Sequence, residues 1–278
     1  MKRTLLIYIA GLALTACNDQ LEQYPQDAVS PQTYFRNEND LRLYTNSFYD
    51  ALPGATAIFA EKYDNLISNA LEDELTGQRT VPTSGGGWDW GRLRNINFYL
   101  ENSVKCNDEK VRVRYDGVAR FFRAYFYFNM IKRFGDVPWY DKVITDSDVE
   151  ALQKKRDSRT SVIENMIKDL DYAIENLPAV RTVDQVSKWT ALALKSRICL
   201  YEGTYRKYHM ELDLPGWESL LDQAIDASGQ LMTNSGYALY NTGNPEKDYL
   251  NLFVSLSPIE TELILAREYS DALQIYHY

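Results

Sequence analysis

Residues 111–138 read VRVRYDGVARFFRAYFYFNMIKRFGDVP. Val111, Tyr115, Val118, Phe122, Tyr125, Phe126 and Asn129 recur at the three- and four-residue steps that bring side chains onto one face of an α-helix. Arg112, Arg120 and Arg123 fall on other faces, where hydrogen bonds to neighbouring helices suit them better than phosphate binding. The run closes at Phe134-Gly135-Asp136-Val137-Pro138, because glycine takes a left-handed cap conformation and proline lacks the N–H needed to continue. A helix this long and this aromatic must be buried, so the fold is expected to form around it. The corner from Phe134 to Trp139 reads as a structural stop rather than a ligand site.

The same periodicity appears on both sides. Leu41, Tyr44, Phe48 and Leu52 form a stripe over 38–52, closed by Pro53-Gly54, and a second helix is expected over 62–71. Pro82 and the run Gly85-Gly86-Gly87 make 76–87 a loop. It leads through Trp88-Asp89-Trp90 into a helix carrying Leu93, Ile96, Leu100 and Val104. On the C-terminal side, Val162, Ile163, Met166, Ile167, Leu170, Ile174 and Leu177 mark a helix stopped by Pro178. Another covers 186–205, with Ala191, Ala193 and Ser196 small enough for close helix packing, and one more covers 217–232. Period-two alternation is confined to 262–267. The expected fold is mainly α, with antiparallel helical hairpins in a tetratricopeptide-like array and long irregular loops. No strict repeat period is visible.

The first sixteen residues have the layout of a bacterial export signal. Lys2 and Arg3 supply a basic start, 4–14 is free of charge, and Leu14-Thr15-Ala16-Cys17 is a small-residue cleavage box ending in cysteine. The apolar run is too short to span a bilayer stably. A cysteine directly after the cut is where lipoprotein processing attaches its acyl chains, so Cys17 is the expected lipidation site. Each buried methylene adds about 0.8 kcal/mol to membrane anchoring. Residues 1–16 are thus read as signal peptide, 17–32 as lipidated cysteine and polar tether, and 33–278 as the body.

Composition narrows the chemistry. A net charge of −9 argues against nucleic acid and against adhesion to anionic headgroups, so membrane attachment is expected through the lipid. Besides Cys17 there are only Cys106 and Cys199, allowing at most one disulfide, and Cys199 sits in an apolar helical pattern that suits a small buried residue. His209 and His277 are the only histidines, which disfavours a histidine-rich zinc site or a Ser-His-Asp hydrolase. Tyrosine, by contrast, occurs 21 times, beside 10 Phe and 5 Trp. Flat apolar faces with polar edges suit cores, interfaces and sugar rings alike.

The stretch from Ala119 to Phe128, followed by Arg133-Phe134-Gly135-Asp136-Val137-Pro138, resembles the RagB/SusD family of Bacteroidetes outer-membrane lipoproteins. Residues 189–197, continuing through Leu200-Tyr201-Glu202-Gly203-Thr204-Tyr205, look like a second signature of that family. The lipobox, the tether and the opening helix fall in the matching order. Members are typically about twice this long, so 33–278 resembles the N-terminal helical half, with the C-terminal half absent. The resemblance implies a cell-surface protein of the outer membrane that holds oligosaccharide, or another nutrient such as peptide, over a TonB-dependent, SusC-like transporter. It implies no catalysis. Apolar surface that the other half would cover is expected to be exposed.

The sharpest binding candidate is Trp88-Asp89-Trp90-Gly91-Arg92. Indole faces stack on the C–H faces of sugars while carboxylate and guanidinium groups bond their hydroxyls. In an extended segment Trp88 and Trp90 point to the same side. Two roles are open to the indoles, a sugar platform or a staple that pins the loop to the next helix. Asp73 and Arg79 flank the loop as further hydroxyl partners, or as simply solvated charges. The triplet Glu72-Asp73-Glu74 reads as a solvated face, because adjacent carboxylates do not set the spacing a glycosidase needs. Asp146, Asp148 and Glu150 resemble the start of a calcium loop, but Ala151 stands where the turn requires glycine. No catalytic residue and no cofactor besides the covalent lipid is expected, calcium being a weak alternative. The remaining alternatives are a scaffold that holds the transporter without contacting glycan, and an exported glycoside hydrolase.

Overall fold

A computed structural model describes residues 33–54, 73–267 and 269. The signal, Cys17, the tether and the helix expected over 62–71 lie outside the described residues. Among them, helices α1 (Glu38–Asn46), α2 (Gly91–Asn102), α3 (Glu109–Phe134), α4 (Arg159–Asn176), α5 (Lys188–Tyr208), α6 (Trp217–Asn234) and α7 (Pro245–Val254) carry the fold, and no strand forms. Short turns of helix cover Asp73–Thr76 and Val149–Leu152. The expectation of a mainly helical body holds.

Local chemistry sets the boundaries. Asn37 caps α1 by accepting from the Asp40 N–H at 3.1 Å, and Asp108 caps α3 by accepting from the Val111 N–H at 3.2 Å. Lys132 and Arg133 occupy the last turn of α3, where they offset the negative end of the helix dipole. The stop at Gly135 occurs as expected, with φ at +71° and its N–H donating to Ile131 O at 3.0 Å. Pro245 starts α7 at a position whose N–H has no helical partner.

Pairing is antiparallel along most of the array. In α3 and α4, Gly117 meets Ala173 and Leu177, while further along Arg123 bonds Asp169. Residue numbers therefore rise along one helix as they fall along the other. Arg159 with Glu202 and Asp171 with Lys195 give the same sense to α4 and α5. Gly203 against Leu221, and Ser196 donating to Ala224 O at 3.1 Å, repeat it for α5 and α6. These are the helical hairpins of a tetratricopeptide-like array. The small residues do bring helices close: Ala191 is fully buried, and at Gly203 an added Cβ would stand 2.8 Å from Leu221 Cδ2.

The central helix departs from the single stripe read from its spacing. Asn129 is exposed and Tyr125 and Phe126 are half-buried, whereas Phe121, Ala124, Phe128 and Ile131 join the core. The reason is that α3 packs against α1 and α2 on one side and α4 and α5 on the other, so burial runs almost all round. Each fully buried Phe or Ile there contributes about 1.5–3 kcal/mol.

Charges inside this core are paired. Asp169 accepts from Arg123 Nε at 2.6 Å and Nη2 at 2.7 Å, and from Arg120 Nη1 at 3.1 Å. Glu202, fully buried, accepts from Arg159 Nε at 2.7 Å and Arg206 Nε at 2.8 Å. Arg120 and Arg123 thus bridge helices as their sequence positions suggested, while Arg112 pairs within its own helix with Glu109. Cys106 and Cys199 are both free and buried, and burial pushes the Cys199 thiol up to about 11.

Two details differ from the sequence reading. Residues 262–267 form no strand: 260–262 is a turn, and Ala266 N–H donates singly to Val183 O at 2.7 Å. Helix α7 went unread, and its apolar side chains Tyr249, Phe253 and Leu256 just beyond it stand exposed. No helix among the described residues is long and apolar enough to cross a membrane.

Candidate functional site

A cleft of about 530 Å³ opens where the glycine loop, the first turns of α2 and the segment after α3 meet. The loop is fixed before it reaches the cleft. Gly85, Gly86 and Gly87 all take positive φ, between +68° and +82°, which only glycine adopts freely. Arg133, at the end of α3, donates from Nε to Gly86 O at 2.8 Å and so binds the loop to the helix array.

Trp88 and Trp90 both line the cleft. Their rings meet edge to face at 5.1 Å, so the loop does present both indoles on one side. Their supports differ. Trp90 is half-buried against Phe126 at 5.7 Å, Tyr127 at 6.2 Å and Tyr140 at 5.5 Å. Trp88 keeps 40% of its surface exposed, with Phe134 at 4.9 Å and the Arg156 guanidinium 5.0 Å from its ring. Trp90 does staple the loop to the array as well as facing the cleft.

The opposite wall is the segment that follows the Gly135 turn. Trp139 stacks on Tyr127 at 4.2 Å, and its N–H donates to Asp157 Oδ2 at 2.7 Å. Asp136 accepts from the Arg159 N–H at 2.7 Å. The corner is therefore structural, as expected, but it also contributes Pro138 to the cleft and delivers Tyr140 beside it. Tyr140 is held at both ends: its hydroxyl donates to Ala151 O at 2.9 Å and its N–H donates to the Tyr127 hydroxyl at 2.6 Å. Burial raises the Tyr140 phenol, keeping it a neutral donor and acceptor.

Asn97 joins the two walls. Its side-chain amide donates to Tyr140 O at 3.0 Å and Lys142 O at 3.1 Å, while its carbonyl accepts from Arg123 Nη1 at 3.2 Å. Arg94, Lys142 and Lys154 supply cations to the lining, and Leu93, Ile144 and Leu152 supply apolar surface. These residues escaped sequence reasoning. The one available signal was spacing: Arg94 is four residues after Trp90 and shares its helical face.

Arg92, the arginine singled out from sequence, does not line the cleft. Two residues past Trp90 on a helix, it turns away, and its Nη2 donates to Asp50 O at 3.2 Å. Asp89 turns back on its own loop, accepting from the Gly91 N–H at 2.8 Å. Asp73 and Arg79 are exposed at the far end of the loop and outside the cleft lining. Asp148 spends its carboxylate on the Thr145 N–H at 2.8 Å and hydroxyl at 2.7 Å. Among the described residues no group of three or more His, Cys, Asp or Glu side chains is placed to hold a metal.

Comparisons with known proteins converge on one family. Residues 37–200 match the family model SusD-like_3, described as starch-binding and associating with the outer membrane. The SusD-like protein P38 of Formosa agariphila is 27% identical over 215 residues, which is 73% of this chain and 42% of that protein. A SusD-like protein of Bacteroides fragilis has a solved structure that superposes with a TM-score of 0.62 at 23% identity, covering 90% of this chain and 48% of its own. A laminarin-binding SusD-like protein superposes with a TM-score of 0.52 at 22% identity, over 66% of this chain and 37% of its own. The chain thus spans less than half the length of these relatives.

Proposed function

This chain belongs to the SusD-like family of starch-binding proteins that associate with the outer membrane, and from that membership we propose that it captures oligosaccharide in the cleft formed by Trp88, Trp90 and Tyr140. The bound glycan passes to a TonB-dependent, SusC-like transporter, and a lipid on Cys17 keeps the protein at the outer surface of the cell. The protein binds its ligand and does not cleave it.

One observation carries the reading. Three aromatic residues with different exposures converge on a cleft bounded by polar groups, which is the combination that sugar rings require. One structural neighbour is a laminarin-binding SusD-like protein, which is in keeping with a glycan ligand. A cleft of about 530 Å³ suits an oligosaccharide better than a monosaccharide.

Native gel electrophoresis through plant, host and microbial polysaccharides tests the proposal. The purified chain is expected to be retarded by at least one of them, and the double variant Trp88→Ala, Trp90→Ala to run freely while keeping its helical circular dichroism. Retardation unchanged in the double variant would remove the cleft as the site. No retardation of the folded wild-type chain by any polysaccharide would favour a scaffold that holds the transporter without contacting glycan.

A further inference from the structure

The charge of the cleft runs against the charge of the chain. With a net charge of −9, acids outnumber bases along the chain. The lining instead carries Arg94, Lys142 and Lys154 and no carboxylate among the described residues. Outside the lining, Arg156 adds a fourth cation, its guanidinium 5.0 Å from the Trp88 ring. Of these, Lys154 is neutralised by Asp157, 2.6 Å from Nζ. Neither Arg94 nor Lys142 forms a salt bridge among the described residues; Lys142 does help hold the Asp148 carboxyl below the usual range, after the Thr145 hydrogen bonds that chiefly do so.

Position makes these charges more than a solvated fringe. Trp90 caps α2 and Arg94 follows one turn later, its N–H donating to Trp90 O at 2.9 Å, so a sugar stacked on the indole would lie near the guanidinium. Lys142 comes from the opposite wall, whose backbone is fixed by Asn97 at Lys142 O itself, 3.1 Å away. Both cations belong to the lining that also holds Trp88 and Trp90. Both cations can donate to the hydroxyls of a neutral glycan, but an anionic substituent would meet a planar, bidentate donor from Arg94 and a point charge from Lys142, and such charge-assisted bonds are roughly twice as strong.

We infer that the cleft selects an oligosaccharide bearing anionic groups, carboxylate or sulfate, with Arg94 and Lys142 as the residues that read the charge. The inference rests on the proposed glycan-binding function and narrows its ligand class. Carboxylate and sulfate share the chemistry that recognises them, and the choice of probe distinguishes the two.

Titration calorimetry of the purified chain against three probe sets decides the matter: oligogalacturonides for carboxylate, carrageenan oligosaccharides for sulfate, and neutral oligosaccharides of laminarin and xyloglucan. One anionic set is expected to bind at least about ten-fold tighter than the neutral ones, with affinity falling as salt is raised. Arg94→Gln and Lys142→Gln should each weaken that binding about ten-fold, and both side chains are at the cleft surface, so folding should be unaffected by circular dichroism. Equal or tighter binding of a neutral probe, unchanged in both variants, would overturn the charge selection while leaving the glycan site standing. If no probe of any set binds, the selection and the glycan reading fail together.

Discussion

Arg123 Nη1 donates to Asn97 Oδ1 across 3.2 Å, and through that bond a buried ion pair reaches the wall of the cleft. Arg123 is fixed by Asp169 on α4, Asn97 is fixed by Arg123, and the carbonyls of Tyr140 and Lys142 are fixed by Asn97. Four segments distant in sequence are thereby held in register. The cleft has a rigid wall although that wall has no regular secondary structure.

Asn97→Ala is therefore expected to loosen the site as well as the fold. Asn97 is 1% exposed, and the substitution strands one donor and two acceptors, at a cost of about 1–3 kcal/mol. Below the transition temperature the variant should remain helical yet bind glycan several-fold more weakly. Paired thermal melts and titrations check this, and full affinity in a destabilised variant would show that the wall does not depend on Asn97.

Asp169→Ala should be more severe. Asp169 is 2% exposed and Arg123 5% exposed, so removing the carboxylate leaves a desolvated guanidinium without its ion-pair partner, only Asp141 acting on it from further off. Breaking one side of such a pair costs about 3–5 kcal/mol. Urea denaturation should show a large fall in midpoint, with a smaller fall when Arg123→Met is added, because the second change removes the stranded charge. A double variant less stable than Asp169→Ala alone would contradict the account.

Asp116 offers a pH signature. Burial raises its pKa above the ordinary carboxylate value, with the Ser103 hydroxyl, Arg112 and Arg120 pulling it down only in part. Because the folded state holds the proton more tightly than the unfolded chain, the ionised group costs stability at neutral pH. That cost disappears as pH falls through the folded-state pKa towards the unfolded value. Asp116→Asn is expected to raise the melting temperature at pH 7 and to lose its advantage in acid. An advantage that persists undiminished at low pH would point to packing rather than charge.

Gly203→Ala probes the closest helix approach. Ala favours a helix over Gly by about 1 kcal/mol, but here the new Cβ would stand 2.8 Å from Leu221 Cδ2 and 3.2 Å from Trp217 O. The carbonyl is backbone and cannot step aside, so overpacking of about 1–3 kcal/mol should win. Thermal denaturation of the variant should show a lowered midpoint; a raised one would mean that α5 and α6 separate freely.

Helices α1 to α6 were legible because their apolar spacing, caps and proline stops agree with one another. Helix α7 was not, since Tyr249 and Phe253 face solvent and offer no buried stripe to read. In the cleft, Trp88 and Trp90 were conspicuous as rare residues beside a glycine run. Tyr140, Lys142 and Lys154 were not, because only the turn at Gly135 and the Asn97 bonds bring residues so far along the chain against α2. Arg92 belongs to the Trp88–Arg92 cluster in sequence but not in space: α2 begins at Gly91, which rotates Arg92 away and puts Arg94, one turn after Trp90, into the cleft lining.

The unequal support of the two indoles separates binding from folding. Trp90 rests on Phe126, Tyr127 and Tyr140, so Trp90→Ala should lower stability by about 1–3 kcal/mol, less than a fully buried Trp would cost, and weaken binding as well. Trp88 is 40% exposed and reaches the array chiefly at Phe134, so Trp88→Ala should leave the melting temperature nearly unchanged while reducing glycan affinity about ten-fold, the equivalent of one lost stacking contact. Thermal melts and titration of the two single variants give four numbers that must fit this pattern. If Trp88→Ala lowers stability as much as Trp90→Ala and leaves affinity intact, both indoles are staples, and the sugar platform must be sought elsewhere along the cleft, at Tyr140.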